Sequence, residues 1–187
     1  PFLITMCDGS DSYYFDGEVN PYTREVFWEE DILEEVQSML NKCSVLVMHN
    51  SQFDMRALES IGIKIEHLWN KLEDTLIASH ALCSGDSHSL KDLAIKYLNL
   101  WDDDEKDLDH TVKSLRAQMA SKGWQIAKRG HPHFPALKGA INWFKMDMWI
   151  APEECLRYGI RDAERTWLLW DAFKTGLTNE SLWAPYK

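Results

Sequence analysis

Two acidic side chains far apart in the sequence, Asp54 and Asp162, carry the first chemical signal in this chain. Asp54 closes the stretch His49-Asn50-Ser51-Gln52-Phe53-Asp54, directly after the apolar run Ser44-Val45-Leu46-Val47-Met48. A carboxylate at the mouth of a strand stands where open α/β sheets collect their ligands. Asp162 follows Tyr158 by four residues in Tyr158-Gly159-Ile160-Arg161-Asp162, so the two project from one face of a helix. A phenol placed there can hold a water beside a cation bound to the carboxylate. Hard oxygen ligands of this kind suit Mg²⁺ or Mn²⁺. Two such ions, held by carboxylates a few ångströms apart, meet the needs of phosphodiester hydrolysis: a more acidic water, a neutralised phosphorus and a stabilised leaving oxygen. Each element alone has a plain structural explanation, since an Asp that opens a helix is a common cap and a Tyr and an Asp one turn apart often decorate a surface. Their joint occurrence, in this order, points to a site.

The elements that must position these residues follow from hydrophobic patterning. Phe2–Cys7 and Ser12–Phe15 read as short strands around the turn-forming Asp8-Gly9-Ser10-Asp11, which predicts an antiparallel hairpin. Between Glu29 and Asn41, Ile32, Leu33, Val36, Met39 and Leu40 recur with a helical period, and acidic residues stand at the start, where the helix dipole favours them. Val45–Met48 is short and continuously apolar, as a buried strand is, and Gln52–Ser60 predicts a helix stopped by Gly62. Further helical patterns cover Glu73–Leu82 and Ser89–Leu98, the second with Leu90, Leu93, Ala94, Tyr97 and Leu98 on one face. Pro152 suits the first turn of a last helix that runs to Gly176. The order predicts an α/β fold, a mixed sheet flanked by helices. Residues 113–150, interrupted by Gly and Pro with Trp and Phe among basic residues, read as a partly helical insertion, and residues 177–187 read as a linker.

The 187 residues fit one domain, and 45% apolar content is ample for one core. Cys7, Cys43, Cys83 and Cys155 are widely spaced and form no C-x-x-C pair, so they read as reduced thiols rather than a zinc knuckle or a disulfide scaffold. No run of some eighteen uncharged apolar residues occurs, and the first residues lack a basic n-region. The expectation is a protein without a membrane partner, not secreted, located in the cytoplasm or at the nucleoid, or in a host cytoplasm if viral. A net charge of −10 argues against broad attraction to a polyanion. Local charge is more telling. The acidic run Asp102-Asp103-Asp104-Glu105 with Asp107 and Asp109 reads as a solvated loop or helix start, whereas Lys122, Lys128, Arg129, His131, His133 and Lys138 make the next stretch basic.

With these motifs together, the chain resembles the DEDD superfamily of 3′-to-5′ exonucleases, in its tyrosine-bearing branch, most closely the proofreading domains of family A DNA polymerases. His49 to Asp54 is similar to the second exonuclease motif and Tyr158 to Asp162 to the third. Glu73-Asp74-Thr75-Leu76 and His88-Ser89-Leu90-Lys91-Asp92-Leu93 resemble the helices between. The resemblance covers most of residues 1–176 and implies an RNase H-like fold. It implies Asp54 and Asp162 as ligands of two Mg²⁺ or Mn²⁺ ions, Tyr158 as the group that orients the attacking water, and Asn50 and Phe53 beside the terminal nucleotides of a single-stranded DNA 3′ end. The product would be nucleoside 5′-monophosphate. Stacking of bases on the insertion's aromatic rings, with phosphates held by Lys128 and Arg129, is a reasonable use for that segment.

The family's first motif, an Asp-x-Glu at the end of the first central strand, is not found in its expected place. Phe2–Cys7 and Ser12–Phe15 match the second and third strands instead. Asp16-Gly17-Glu18 follows a strand, but only one helix separates it from Asp54, and a solvated turn is its default reading. The expectation is that residues upstream of Pro1, or another chain such as a polymerase, supply the missing strand and its acids, and that these 187 residues alone degrade DNA poorly. Two other functions stay open: a catalytically silent exonuclease-like module that binds a strand or braces a polymerase, and an RNA-trimming enzyme, because the metal chemistry does not distinguish sugars.

Overall fold

The hairpin forms as its turn chemistry requires. β1 (Leu3–Cys7) pairs antiparallel with β2 (Ser12–Asp16), Leu3 opposite Asp16 and Cys7 opposite Ser12. The Asp8 carboxylate closes the turn by accepting from the backbone N–H groups of Ser10 and Asp11 at 2.9 and 2.8 Å, the local bonding that makes Asp a turn residue. A short second ladder of β3 (Glu18–Val19) and β4 (Val26–Phe27) leads into α1 (Glu30–Lys42). β5 (Leu46–Met48), α2 (Ser51–Glu59), β6 (Leu72–Asp74), α3 (Thr75–Leu82) and α4 (Leu90–Leu98) follow. Next come α5 (Asp103–Ser121), the paired β7 (Gln125–Ala127) and β8 (Ala140–Asn142), the long helix α6 (Pro152–Asn179) and the single turn α7 (Trp183–Tyr186). This is a computed structural model; it describes residues 1–19, 25–101, 103–123, 125–127, 140–142 and 152–186.

Two apolar clusters lie on opposite sides of the strands. Ile4, Val36, Leu40, Met55, Leu58 and Leu68 centre the first, with Met6, Leu46 and Met48 packed on it. Ala78, Leu93, Leu169, Trp170, Phe173 and Leu177 form the second, with Val47 against it. β5 therefore sends alternate side chains to the two clusters, as the two-residue period of a strand dictates. α1 and α2 cover one face, and α3, α4 and α6 the other. Phe173 is 1% exposed, and filling this layer with large apolar groups is what holds α6 in place.

The α/β class stands, with one qualification about the sheet. Among the described residues the strands pair as separate two-stranded ladders: β1 with β2, antiparallel, and β5 with β6, parallel. Both ladders touch α6 and border the first cluster, yet no described strand bonds to the free edge of β1 or of β5. β6 was not anticipated. The sequence pattern gives Glu73–Leu82 to one helix, but Leu72–Asp74 extends beside β5 and the helix begins at Thr75, because three residues are too few to display a period.

α6 crosses β1 closely at Gly159. A Cβ there would lie 2.9 Å from Thr5 Cγ2, and the Thr5 hydroxyl donates to the Gly159 carbonyl at 2.8 Å. Glycine thus lets the helix sit on the strand beside Tyr158. Residues 177–187 include the last turn of α6 and then α7, whose Tyr186 lies 5.9 Å from the Trp170 ring and donates to Glu73 Oε2 at 2.7 Å. Among the described residues no helix is long and apolar enough to cross a membrane, and no disulfide joins any of the four cysteines.

Candidate active site

The first half of the site forms where β5 and β6 end. Asn50 takes a left-handed conformation, φ 64°, to turn the chain from β5 into α2, a conformation Asn tolerates better than other residues with a Cβ. The buried Asp74 then caps two helices at once. Its carboxylate accepts from the N–H groups of Asn50 at 3.2 Å and Ser51 at 2.8 Å, and from Leu76 at 2.8 Å at the start of α3. His49 Nδ1 shares a 2.9 Å hydrogen bond with Thr75 Oγ1, which ties the same two helix starts together. Burial holds the His49 ring below the ordinary imidazole range. Asp74→Ala leaves three backbone donors without their acceptor, so it is expected to cost about 2–4 kcal/mol. Urea unfolding of the variant against the parent measures that loss.

Asp54 sits in the first turn of α2, half-buried. Burial, and then the nearby charge of Asp74, push its carboxyl up to about 6. Among the described residues no hydrogen bond or ion pair supports its ionised form. That is the state of a carboxylate that gains from a cation. Phe53, one residue earlier, is 70% exposed. Asn50, Gln52, Phe53, Arg56 and Ala57 line a surface cavity of about 440 Å³, so the structure brings the two nucleotide-facing candidates, Asn50 and Phe53, to one cavity.

The second half lies on α6. Tyr158 stands one turn before Asp162, and burial, followed by the charge of Asp162, raises the phenol above its ordinary range. Burial also raises the Asp162 carboxyl, against the opposing pull of the Tyr158 hydroxyl and the Arg165 guanidinium. Arg165 Nη1 donates to Asp162 Oδ1 at 3.1 Å and to Asp104 Oδ2 at 3.0 Å, while Nη2 donates to Asp104 Oδ1 at 2.5 Å and to the Trp101 carbonyl at 2.8 Å. Lys91 stands over the Tyr158 ring, 6.0 Å from its centroid, and also pairs with Glu105.

Here the acidic run departs from its solvated reading. Asp104 is buried, 3% exposed, because α5 packs on α6 and the Arg165 guanidinium is there to meet it. Asp103 remains at the surface as expected. Three residues of the site were therefore missed: Asp74, Asp104 and Arg165. Arg165 had a signal, since it lies three positions beyond Asp162 and hence on the same helical face. Asp104 had none, because its neighbours are acidic and only the packing of α5 singles it out.

Tyr158 and Asp162 thus stand one turn apart on α6, while Asp54, in the first turn of α2, and Asp74, at the end of β6, form an acidic pair. Among the described residues no group of three or more His, Cys, Asp or Glu forms a metal-holding cluster. Asp16 and Glu18 lie at the end of β2 and in β3. Lys128 and Arg129 lie outside the described residues.

The family model described as 3′-5′ exonuclease matches residues 3–178. The chain belongs to this exonuclease family. The match spans both halves of the site and the elements between them. Among curated proteins, a DNA polymerase of Mycobacterium phage D29 is 29% identical over 57% of this exonuclease-family chain. The similar part covers 19% of that polymerase's length. No solved structure matches.

Proposed function

We propose that the chain is the exonuclease part of a DNA polymerase and removes nucleoside 5′-monophosphates from single-stranded DNA 3′ ends by metal-dependent hydrolysis, as a proofreading activity. The observation that carries this reading is the half-buried Tyr158 and Asp162, one turn apart on α6 inside the family-matched span, with the Arg165 guanidinium on the Asp162 carboxylate. The acidic Asp54, short of cationic partners, supports it from the other side.

In this proposal Asp54 and Asp162 hold Mg²⁺ or Mn²⁺, whose oxygen preference their carboxylates meet. Bound divalent ions supply the acidified water and the charge that a transferring phosphoryl group requires. The chain's own residues do the rest. Tyr158, kept protonated by its raised pKa, donates to Asp162 and accepts a hydrogen bond from the attacking water, so it orients the oxygen without acting as a base. Phe53 stacks under a terminal base and Asn50 contacts the adjacent nucleotide. Lys128 and Arg129 are assigned to phosphates further along the strand. The fold is read as RNase H-like, its central strand entering between β1 and β5 from upstream residues or a polymerase chain. The separate ladders on one apolar cluster support that entry.

A second reading, a silent module that binds a strand or braces a polymerase, is favoured by the lack of a three-acid cluster among the described residues. Mg²⁺-dependent release of nucleotide from 5′-labelled DNA and RNA oligonucleotides separates the possibilities. This chain alone is expected to release little, and the same chain joined to a strand that ends in Asp-x-Glu is expected to digest DNA from the 3′ end. Failure of the joined protein to cleave any oligonucleotide sinks the enzyme reading.

Asp54 adds a pH signature. Its folded pKa of about 6 lies above the ordinary aspartate value of 3.8, so folding favours the protonated carboxyl and the metal-free chain loses stability as pH rises from 4 through 6. Asp54→Asn is therefore expected to be more stable than the parent by about 2 kcal/mol at pH 7.5, and equal to it near pH 4. Mn²⁺ should raise the melting temperature of the parent at pH 7.5 and leave that of the variant unchanged. Thermal melts at both pH values, with and without Mn²⁺, check the pair of effects.

A further inference from the structure

The buried cluster on α6 contains more charge than a water-orienting phenol and a metal-binding carboxylate need. Arg165 and Asp104 have side chains 4% and 2% exposed, and they face each other through two hydrogen bonds. A buried ion pair of this kind is a poor stabiliser, because desolvation offsets most of its attraction, and apolar residues of similar size often serve as well. Its geometry suggests another use. Asp104, Asp162 and the Trp101 carbonyl converge as acceptors on the one guanidinium. Two of these acceptors belong to the segment before and within α5, so α5 fixes the guanidinium, and the guanidinium fixes one oxygen of Asp162.

Charge explains why the pair has two members. Arg165 alone beside Asp162 would cancel the carboxylate's charge and repel a cation. Asp104 returns the group to a net single negative charge while leaving the N–H donors in place. We propose that Asp104 and Arg165 are positioning residues, a charge-neutral clamp that fixes the Asp162 carboxylate for a divalent cation without neutralising it. The cation half of this statement rests on the function proposed above; the orientation half does not.

The test uses the full 187-residue chain, isotope-labelled for NMR, with Asp162 assigned by the loss of its signals in Asp162→Asn. Three-bond couplings report the side-chain rotamer of Asp162 without metal. The parent is expected to hold a single rotamer, and Asp104→Leu combined with Arg165→Met, which replaces the pair by apolar groups, is expected to average it while the melting transition persists. Asp104→Asn, nearly isosteric, keeps the test alive if the double variant does not fold, and its local charge is less negative. It should need at least about tenfold more Mn²⁺ to broaden the Asp162 signals. A folded double variant with the parent's single rotamer, or an Asp104→Asn protein with both the parent's rotamer and its Mn²⁺ dependence, overturns the clamp. If Mn²⁺ fails to broaden Asp162 in the parent, the metal assignment falls and the rotamer comparison still decides the clamp.

Discussion

Replacing Asp162 with Ala, in a protein that joins this chain to an Asp-x-Glu strand, is expected to lower nucleotide release about a thousandfold or more. The size follows from the chemistry. A carboxylate that holds a divalent ion at a phosphoryl centre contributes several kcal/mol of charge stabilisation in the transition state, and each 1.36 kcal/mol is tenfold in rate. Asp162 also stands one turn from Tyr158, whose phenol its charge helps to keep protonated, so its removal also disturbs the group proposed to orient the water. Tyr158→Phe, which keeps the ring and loses only the hydroxyl, is the milder comparison. Single-turnover release of the 3′ nucleotide measures both. Full activity in Asp162→Ala places the chemistry elsewhere.

Arg165→Ala is expected to be the most damaging single change to stability outside the apolar core, about 3–5 kcal/mol. The cause is the charge left behind. Asp104 is 2% exposed at its side chain, with its two oxygens on the guanidinium, and a buried carboxylate stripped of its partner has neither countercharge nor water. Replacing both members, Asp104→Leu with Arg165→Met, removes the stranded charge and should recover most of the loss. Equilibrium urea unfolding of the parent, the single and the double variant gives the cycle. A small effect of the single variant would mean that water reaches Asp104 once the arginine is gone.

Most elements were legible because their lengths suffice to display a period. α1 shows its apolar stripe over three turns, and α6 announces itself by Pro152 at its start. Of the candidate site, Asp54, Tyr158 and Asp162 could be named because the types and spacing of their neighbours are local properties. The strand β6 escaped notice through brevity, and Asp74 through the assignment of Leu72–Asp74 to the following helix.

Sequence alone named Asp54, Tyr158 and Asp162 as candidates, the helical face that Tyr158 and Asp162 share, and the short apolar strand that precedes Asp54. Each depends on residues within a few turns of one another. Tertiary structure alone decided that Asp104, one acid in a run of four, is withdrawn from water to meet Arg165, 61 positions away. It likewise decided that one Asp74 carboxylate caps two helices. A charge is buried only where distant packing supplies its partner, and no local pattern records which partner that is.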